Sequence, residues 1–98
     1  MKITNIFRSP EPCTEAGWLA FQYELEHPIN RDFILALRPL GSFIFLESLT
    51  QPFFKIQNHH YMIKGLLNDT SIRVAVHRDH LNEQEPIKQI IESLWNTS

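Results

Sequence analysis

Histidine is the residue type whose placement in this sequence suggests chemistry most directly. Of the five histidines, four flank one predicted β-hairpin, whose strands run over residues 61–67 and 71–77. Imidazole nitrogens bind divalent transition metals and titrate near neutral pH. Several imidazoles at one end of a hairpin therefore indicate either a metal site or a pH-sensitive surface.

The register of this hairpin decides which side chains meet. A turn centred on Asp69 and Thr70 predicts three facing apolar pairs on one side: Leu67 with Ile72, Gly65 with Val74, and Ile63 with Val76. Extended past the strands, the same register places His60 opposite Asp79 and diagonal to His77. Facing and diagonal neighbours lie about 5 Å and about 7–8 Å apart at Cβ. His60, His77 and Asp79 are therefore the candidate ligands for a divalent metal with open coordination positions.

The alternative interpretation is a solvated hairpin end with no more than a surface hydrogen bond between His and Asp. In that case the protein has no cofactor. Lys64 and Arg73 lie on the same face as His77 in this register, so that face favours an anionic group. On the other face, His59 is expected to approach His80.

Other catalytic signatures are absent from the sequence. Three glycines do not form a phosphate-binding loop, and no CxxC, HExxH or GxSxG motif occurs. Cys13, the only cysteine, has neither a base nor a helix start beside it to activate its thiol. It is interpreted as an incidental thiol.

Aromatic residues supply a second kind of candidate site. Trp18, Trp95 and one of Phe53 and Phe54 are candidates for an exposed patch of the kind that marks an interface. Phe53 and Phe54 are adjacent, so a regular strand directs only one of them inward. The alternative is that a second layer or the N-terminal loop covers these rings.

Alternating apolar and polar residues predict the strands that must position these side chains. Residues 18–26 alternate with period two, whereas 33–37 is apolar on both faces and is interpreted as an inner strand paired with 42–48. Further strands are predicted over 3–7 and 53–56. Residues 8–16 contain two prolines and are expected to form an extended loop.

The C-terminal segment, 82–96, has the pattern of an amphipathic helix. Asn82 and Glu85 match a capping box, and Pro86 falls in the first turn, where its missing N–H is tolerated. Ile87 begins an apolar series that recurs at helical spacing through Leu94. The predicted fold is α+β: one domain over 1–98, in which this helix packs on a curved antiparallel meander of five to six strands.

Composition narrows the classes of partner. A net charge of −2, without any run of basic residues, argues against general nucleic-acid binding. Apolar runs are too short to span a membrane, and one cysteine fits a reducing compartment, so a cytoplasmic location is expected.

The sequence does not determine a function, and two hypotheses follow from it. The first is a small non-enzymatic binding or assembly module, a homodimer or a subunit bound to another protein, since small size and sheet edges favour association. Its candidate interface residues are Trp18, Phe53, Phe54, Trp95, Lys64 and Arg73. The alternative is a small metal-dependent or histidine-based enzyme that uses His60, His77 and Asp79.

Overall fold

In the part of the chain that the structure describes, six antiparallel strands form one open sheet, accompanied by two helices. The computed structural model describes residues 2–8 and 17–95, with the backbone alone at positions 94 and 95. The strands are β1 (Ile3–Arg8), β2 (Trp18–Leu25), β3 (Ser42–Leu46), β4 (Phe53–Gln57), β5 (Tyr61–Leu66) and β6 (Ser71–His77). The helices are α1 (Arg31–Ala36) and α2 (Gln84–Trp95), each next to a 3₁₀ segment, Arg38–Leu40 and Arg78–Glu83.

The strand order is β1-β2-β6-β5-β4-β3. Strands β3 to β6 are a continuous meander, and the β1–β2 hairpin joins it along β6. The predicted α+β fold, an antiparallel meander sheet with a C-terminal helix, is therefore confirmed. Residues 9–16, which include Cys13 and most of the predicted loop, lie outside the described residues.

The predicted inner strand over 33–37 is wrong, because this segment forms α1. Asn30 caps the helix: its Oδ1 accepts a hydrogen bond from the Phe33 backbone N–H at 2.8 Å. Phe33 and Leu37 lie one helical turn apart and are both buried, together with Ile34. A short apolar run fits a buried helix as well as a buried strand, and the capping asparagine decides between them here.

The core lies between one face of the sheet and the two helices. Alternate residues of β2, β4, β5 and β6 point to this face, and α1 and α2 close it with their apolar sides. The largest fully buried side chains of the core are Tyr23, Ile29, Ile34, Leu37, Phe54, Ile56, Ile63, Ile72, Val74, Ile87 and Ile91. Among the described residues, neither helix has the length and apolarity needed to cross a membrane.

The predicted register of the β5–β6 hairpin is wrong by two residues. Ile63 faces Val74 and Lys64 faces Arg73, because the connection is longer than a tight turn. Its backbone is used elsewhere: the Asn68 N–H donates to the Ile29 carbonyl, and the Ile29 N–H donates to the Asp69 carbonyl, both at 2.8 Å. A shift of two preserves the face to which each side chain points.

The shift changes which residues meet at the far end of the hairpin. The His77 N–H donates to the His60 carbonyl at 3.1 Å, so the chain pairs His60 with His77 and not with Asp79. His77 then caps the second 3₁₀ segment, since its Nδ1 accepts from the Asp79 N–H at 3.2 Å. Helix α2 follows this segment directly, so Asn82 lies inside a helical run and not at its start.

Tyr23 generates the first prediction, because its hydroxyl is buried without a hydrogen-bond partner among the described residues. Burial, and then the charge of Glu85, raises the pKa of Tyr23 to about 12. We expect Tyr23→Phe to increase the free energy of unfolding by about 1 kcal/mol at pH 7, since it removes an unsatisfied buried polar group. Urea denaturation measures this change.

The loss of stability at alkaline pH supplies the control for this prediction. Unfolded tyrosine ionises near pH 10, below the folded pKa of Tyr23, so the wild-type protein loses stability as pH rises from about 10 to 12. Tyr23→Phe should weaken that dependence, while Tyr61, whose pKa burial also raises, keeps its own part. A variant less stable than wild type at pH 7 would show that the hydroxyl is satisfied.

Candidate functional site

The sheet has a second face, turned away from α1 and α2, which is called the outer face here. It is built by the alternate strand residues that do not point into the core, among them Lys55, Lys64 and Arg73. Two alanines on this face, Ala20 and Ala75, face each other across β2 and β6 and are buried at 5% and 2% exposure. Larger neighbouring side chains therefore cover the two alanines. The cationic side chains lie in the next row of the same face.

Three cationic side chains form a row across three neighbouring strands. Lys55 of β4 faces Lys64 of β5, and Lys64 faces Arg73 of β6. Facing side chains on one sheet face lie about 5 Å apart at Cβ, and like charges in that position are destabilising. Each of the three is half-buried. Within the described part of the chain, Lys55 and Lys64 have no ion-pair partner.

An apolar row lies beside this cationic row. Leu46 of β3 faces Phe53 of β4, which faces Leu66 of β5. Ile44 of β3 faces Lys55 at the end of the cationic row. Leu46 and Ile44 are each 45% exposed. This part of the outer face therefore combines exposed apolar surface with adjacent positive charge.

The candidate interface residues predicted from the sequence fall in different places. Phe53 lies on the outer face and Phe54 is fully buried in the core, as their adjacency requires. Trp18 is half-buried at the opposite end of the sheet, where its ring meets the edge of His77 at 5.6 Å between centroids. The structure does not bring Trp18 to Phe53, and the side chain of Trp95 lies outside the described residues.

Histidines meet at the end of the sheet where β6 runs into the 3₁₀ segment. The rings of His60 and His80 stack with centroids 3.9 Å apart, and His60 Nδ1 lies 3.4 Å from Glu83 Oε1. The metal-binding atoms of His60, His80 and Glu83 all lie within 4.8 Å of one another. These three residues are called the histidine cluster below.

The predicted ligands His60, His77 and Asp79 are divided between two groups. His60 belongs to the histidine cluster, whereas His77 Nδ1 lies 3.5 Å from Asp79 Oδ2. The rings of His77 and His80 are 6.0 Å apart. It is His60, and not the neighbouring His59, that stacks on His80.

Lys55, His80 and Glu83 are among the residues that sequence reasoning did not assign to these sites. Lys55 alternates with the buried Phe54 and Ile56, so the strand period alone places it on the outer face. His80 and Glu83 are three residues apart, but His80 has non-helical backbone angles at a kink, so no helical spacing in the sequence indicates that they meet. The segment before the α-helix was also not predicted to be helical.

Comparison of the chain with protein-family models, with curated proteins and with solved structures gives no match. The geometry of the outer face and of the histidine cluster is therefore the basis for any statement on function.

The cationic row generates the second prediction. We expect Lys64→Glu to raise the free energy of unfolding by about 1 kcal/mol at low ionic strength, because two facing like-charge pairs become opposite-charge pairs. High salt should shrink the gain by screening the charges. Urea denaturation at both ionic strengths measures it.

Lys88→Glu is the matched control, since it changes the net charge equally on α2. Lys88 Nζ lies 3.4 Å from Glu85 Oε1, so this variant replaces an attraction with a repulsion and should lose stability. If both variants shift stability in the same direction, overall charge and not the row is responsible.

Proposed function

We propose that this protein is a non-enzymatic binding module whose outer face binds an acidic surface of another protein. The observation that supports this most directly is the row of Lys55, Lys64 and Arg73 on three neighbouring strands. An antiparallel pair ordinarily gains from opposite charges facing each other. Here Lys55 and Lys64, which face each other without an ion-pair partner among the described residues, carry like charges that a bound anionic group neutralises.

The apolar row gives such a complex its buried area. Leu46, Phe53 and Leu66 lie one row away from the cations, so a partner segment with carboxylates beside aliphatic side chains matches both rows. Interfaces are typically built in this way, with apolar contacts excluding water near charged pairs. Charge complementarity also steers the encounter and rejects basic competitors.

A second copy of this chain is the other occupant expected from the sequence. Two outer faces placed together about a two-fold axis bring two cationic rows close to each other, which opposes association. The edge strands β1 and β3 leave a different route to a homodimer by strand pairing. The charges of the outer face favour the acidic partner over a second copy of the chain. The single cysteine is compatible with a cytoplasmic location for this complex.

The third prediction tests this binding with a defined probe. A fluorescent synthetic peptide of interspersed glutamate and leucine should bind the wild-type protein, with amide shifts in NMR spectra that concentrate at β4, β5 and β6. Lys55→Gln combined with Lys64→Gln should weaken the anisotropy-measured affinity about tenfold, since two charge pairs are lost. A peptide with glutamine in place of glutamate should bind the wild-type protein no more tightly than the glutamate peptide binds the double variant.

The control is the double variant Arg31→Gln with Lys88→Gln, which removes two positive charges from the helical side of the molecule. Arg31 pairs with Glu47 at 2.7 Å on the exposed surface, so the fold should tolerate the change. Equal weakening in both double variants contradicts a specific face. Tighter binding of single-stranded RNA than of the peptide, or a dimer that Lys64→Glu dissociates, also overturns the acidic-protein proposal.

A further inference from the structure

The histidine cluster joins two segments that are distant in sequence. His60 lies in the turn between β4 and β5, whereas His80 and Glu83 lie in the 3₁₀ segment that follows β6. We propose that these three side chains bind one divalent transition-metal ion, with Zn²⁺ as the reference ion. This proposal is independent of the outer face, because none of its ligands belongs to the cationic or apolar row.

The turn that carries His60 is held by the side chain of Asn58. Asn58 Oδ1 accepts from the His60 N–H at 2.8 Å and from the Tyr61 N–H at 2.9 Å. Its Nδ2 donates to the Leu40 carbonyl at 3.0 Å, which anchors the turn to the first 3₁₀ segment. The backbone of His60 is therefore held in place before any ion binds, which lowers the entropic cost of assembling the site.

The other two ligands come from the 3₁₀ segment that follows β6. His80 has non-helical backbone angles, φ −129° and ψ 31°, at a kink within this segment. The metal-binding atoms of His80 and Glu83 lie within 4.8 Å of each other and of that of His60. The cap formed by His77 Nδ1 and the Asp79 N–H holds the start of the segment. His77 is accordingly a positioning residue, and it is not a ligand.

The distances fit a site that closes on an ion. Tetrahedral bonds of about 2.0 Å place ligand atoms about 3.3 Å apart. His60 Nδ1 and Glu83 Oε1 are already 3.4 Å apart, and the other ligand atoms lie within 4.8 Å. A metal ion lies in the plane of each imidazole that binds it, and the rings of His60 and His80 stack with their planes 19° apart, so one ring must rotate out of the stack for both to bind the ion. The His60 side chain is 48% exposed, which leaves it room for this rotation outside the core.

The donor set determines the class of ion. Two imidazoles and one carboxylate suit Zn²⁺, Co²⁺, Ni²⁺ or Fe²⁺, whereas Mg²⁺ and Ca²⁺ prefer oxygen ligands throughout. Three protein ligands leave at least one coordination position for water or an exchangeable ligand. The bound ion also links the β4–β5 turn to the segment that leads into α2, so it should stabilise the folded chain.

The fourth prediction is that the protein binds one Zn²⁺ per chain. Native mass spectrometry gives the stoichiometry, and the visible absorption of bound Co²⁺ reports the coordination geometry. His60→Gln, His80→Gln and Glu83→Gln should each lower the Zn²⁺ affinity about 100-fold or more, as loss of a ligand exceeds the loss seen for supporting residues. The Tm of the wild-type protein should rise with saturating Zn²⁺, and the three variants should lose this rise.

His59→Gln is the matched control, because His59 is adjacent in sequence and exposed but lies outside the histidine cluster. It should bind Zn²⁺ as the wild-type protein does. Equal loss in the His59 and His60 variants, or no Zn²⁺ adduct on the wild-type chain, overturns the proposal. Loss in Asp79→Asn with full binding in Glu83→Gln would assign the ion to His60, His77 and Asp79, which also overturns it.

Discussion

The register of β6 is the constraint on which the rest of the structure depends. This strand pairs with β2 on one side and β5 on the other, and Ile72, Val74 and Val76 bury one of its faces under the helices. A slip of one residue would exchange the buried and exposed sets. With the observed register, Arg73 completes the cationic row and His77 reaches the 3₁₀ segment that carries His80. Both candidate sites are therefore set by the packing of a single strand.

Period-two alternation made the faces of β5 and β6 predictable even though the pairing was not. Lys64 and Arg73 were assigned to one face from the sequence, and the structure makes them direct neighbours. The register error came from the connection after β5, whose backbone bonds to Ile29, a residue some forty positions earlier in the chain. No local pattern reports a contact of that range. The cap at Asn30, in contrast, is a local signal from which α1 was predictable.

The histidine site shows the same limit at a finer scale. Sequence reasoning found His60 because alternation and hairpin pairing bring it near β6, but it assigned Asp79 as the carboxylate. A two-residue shift of register and an early start of the helical segment exchange Asp79 for Glu83. A register error that leaves every strand correctly placed can therefore still give the wrong set of side chains at a strand end.

The cationic row crosses β6 at Arg73, and the histidine cluster lies beyond the last residue of this strand, His77. This placement bears on how the two proposed sites would act together. A ligand shifts a conformational equilibrium only through different affinities for its states. The segment between Arg73 and His77 is buried on its inner face by Val74 and Val76, and it is paired along both edges. Such a strand offers no second arrangement that either ligand would select. Occupancy of the two sites should therefore add to the stability of the fold without cooperativity between them.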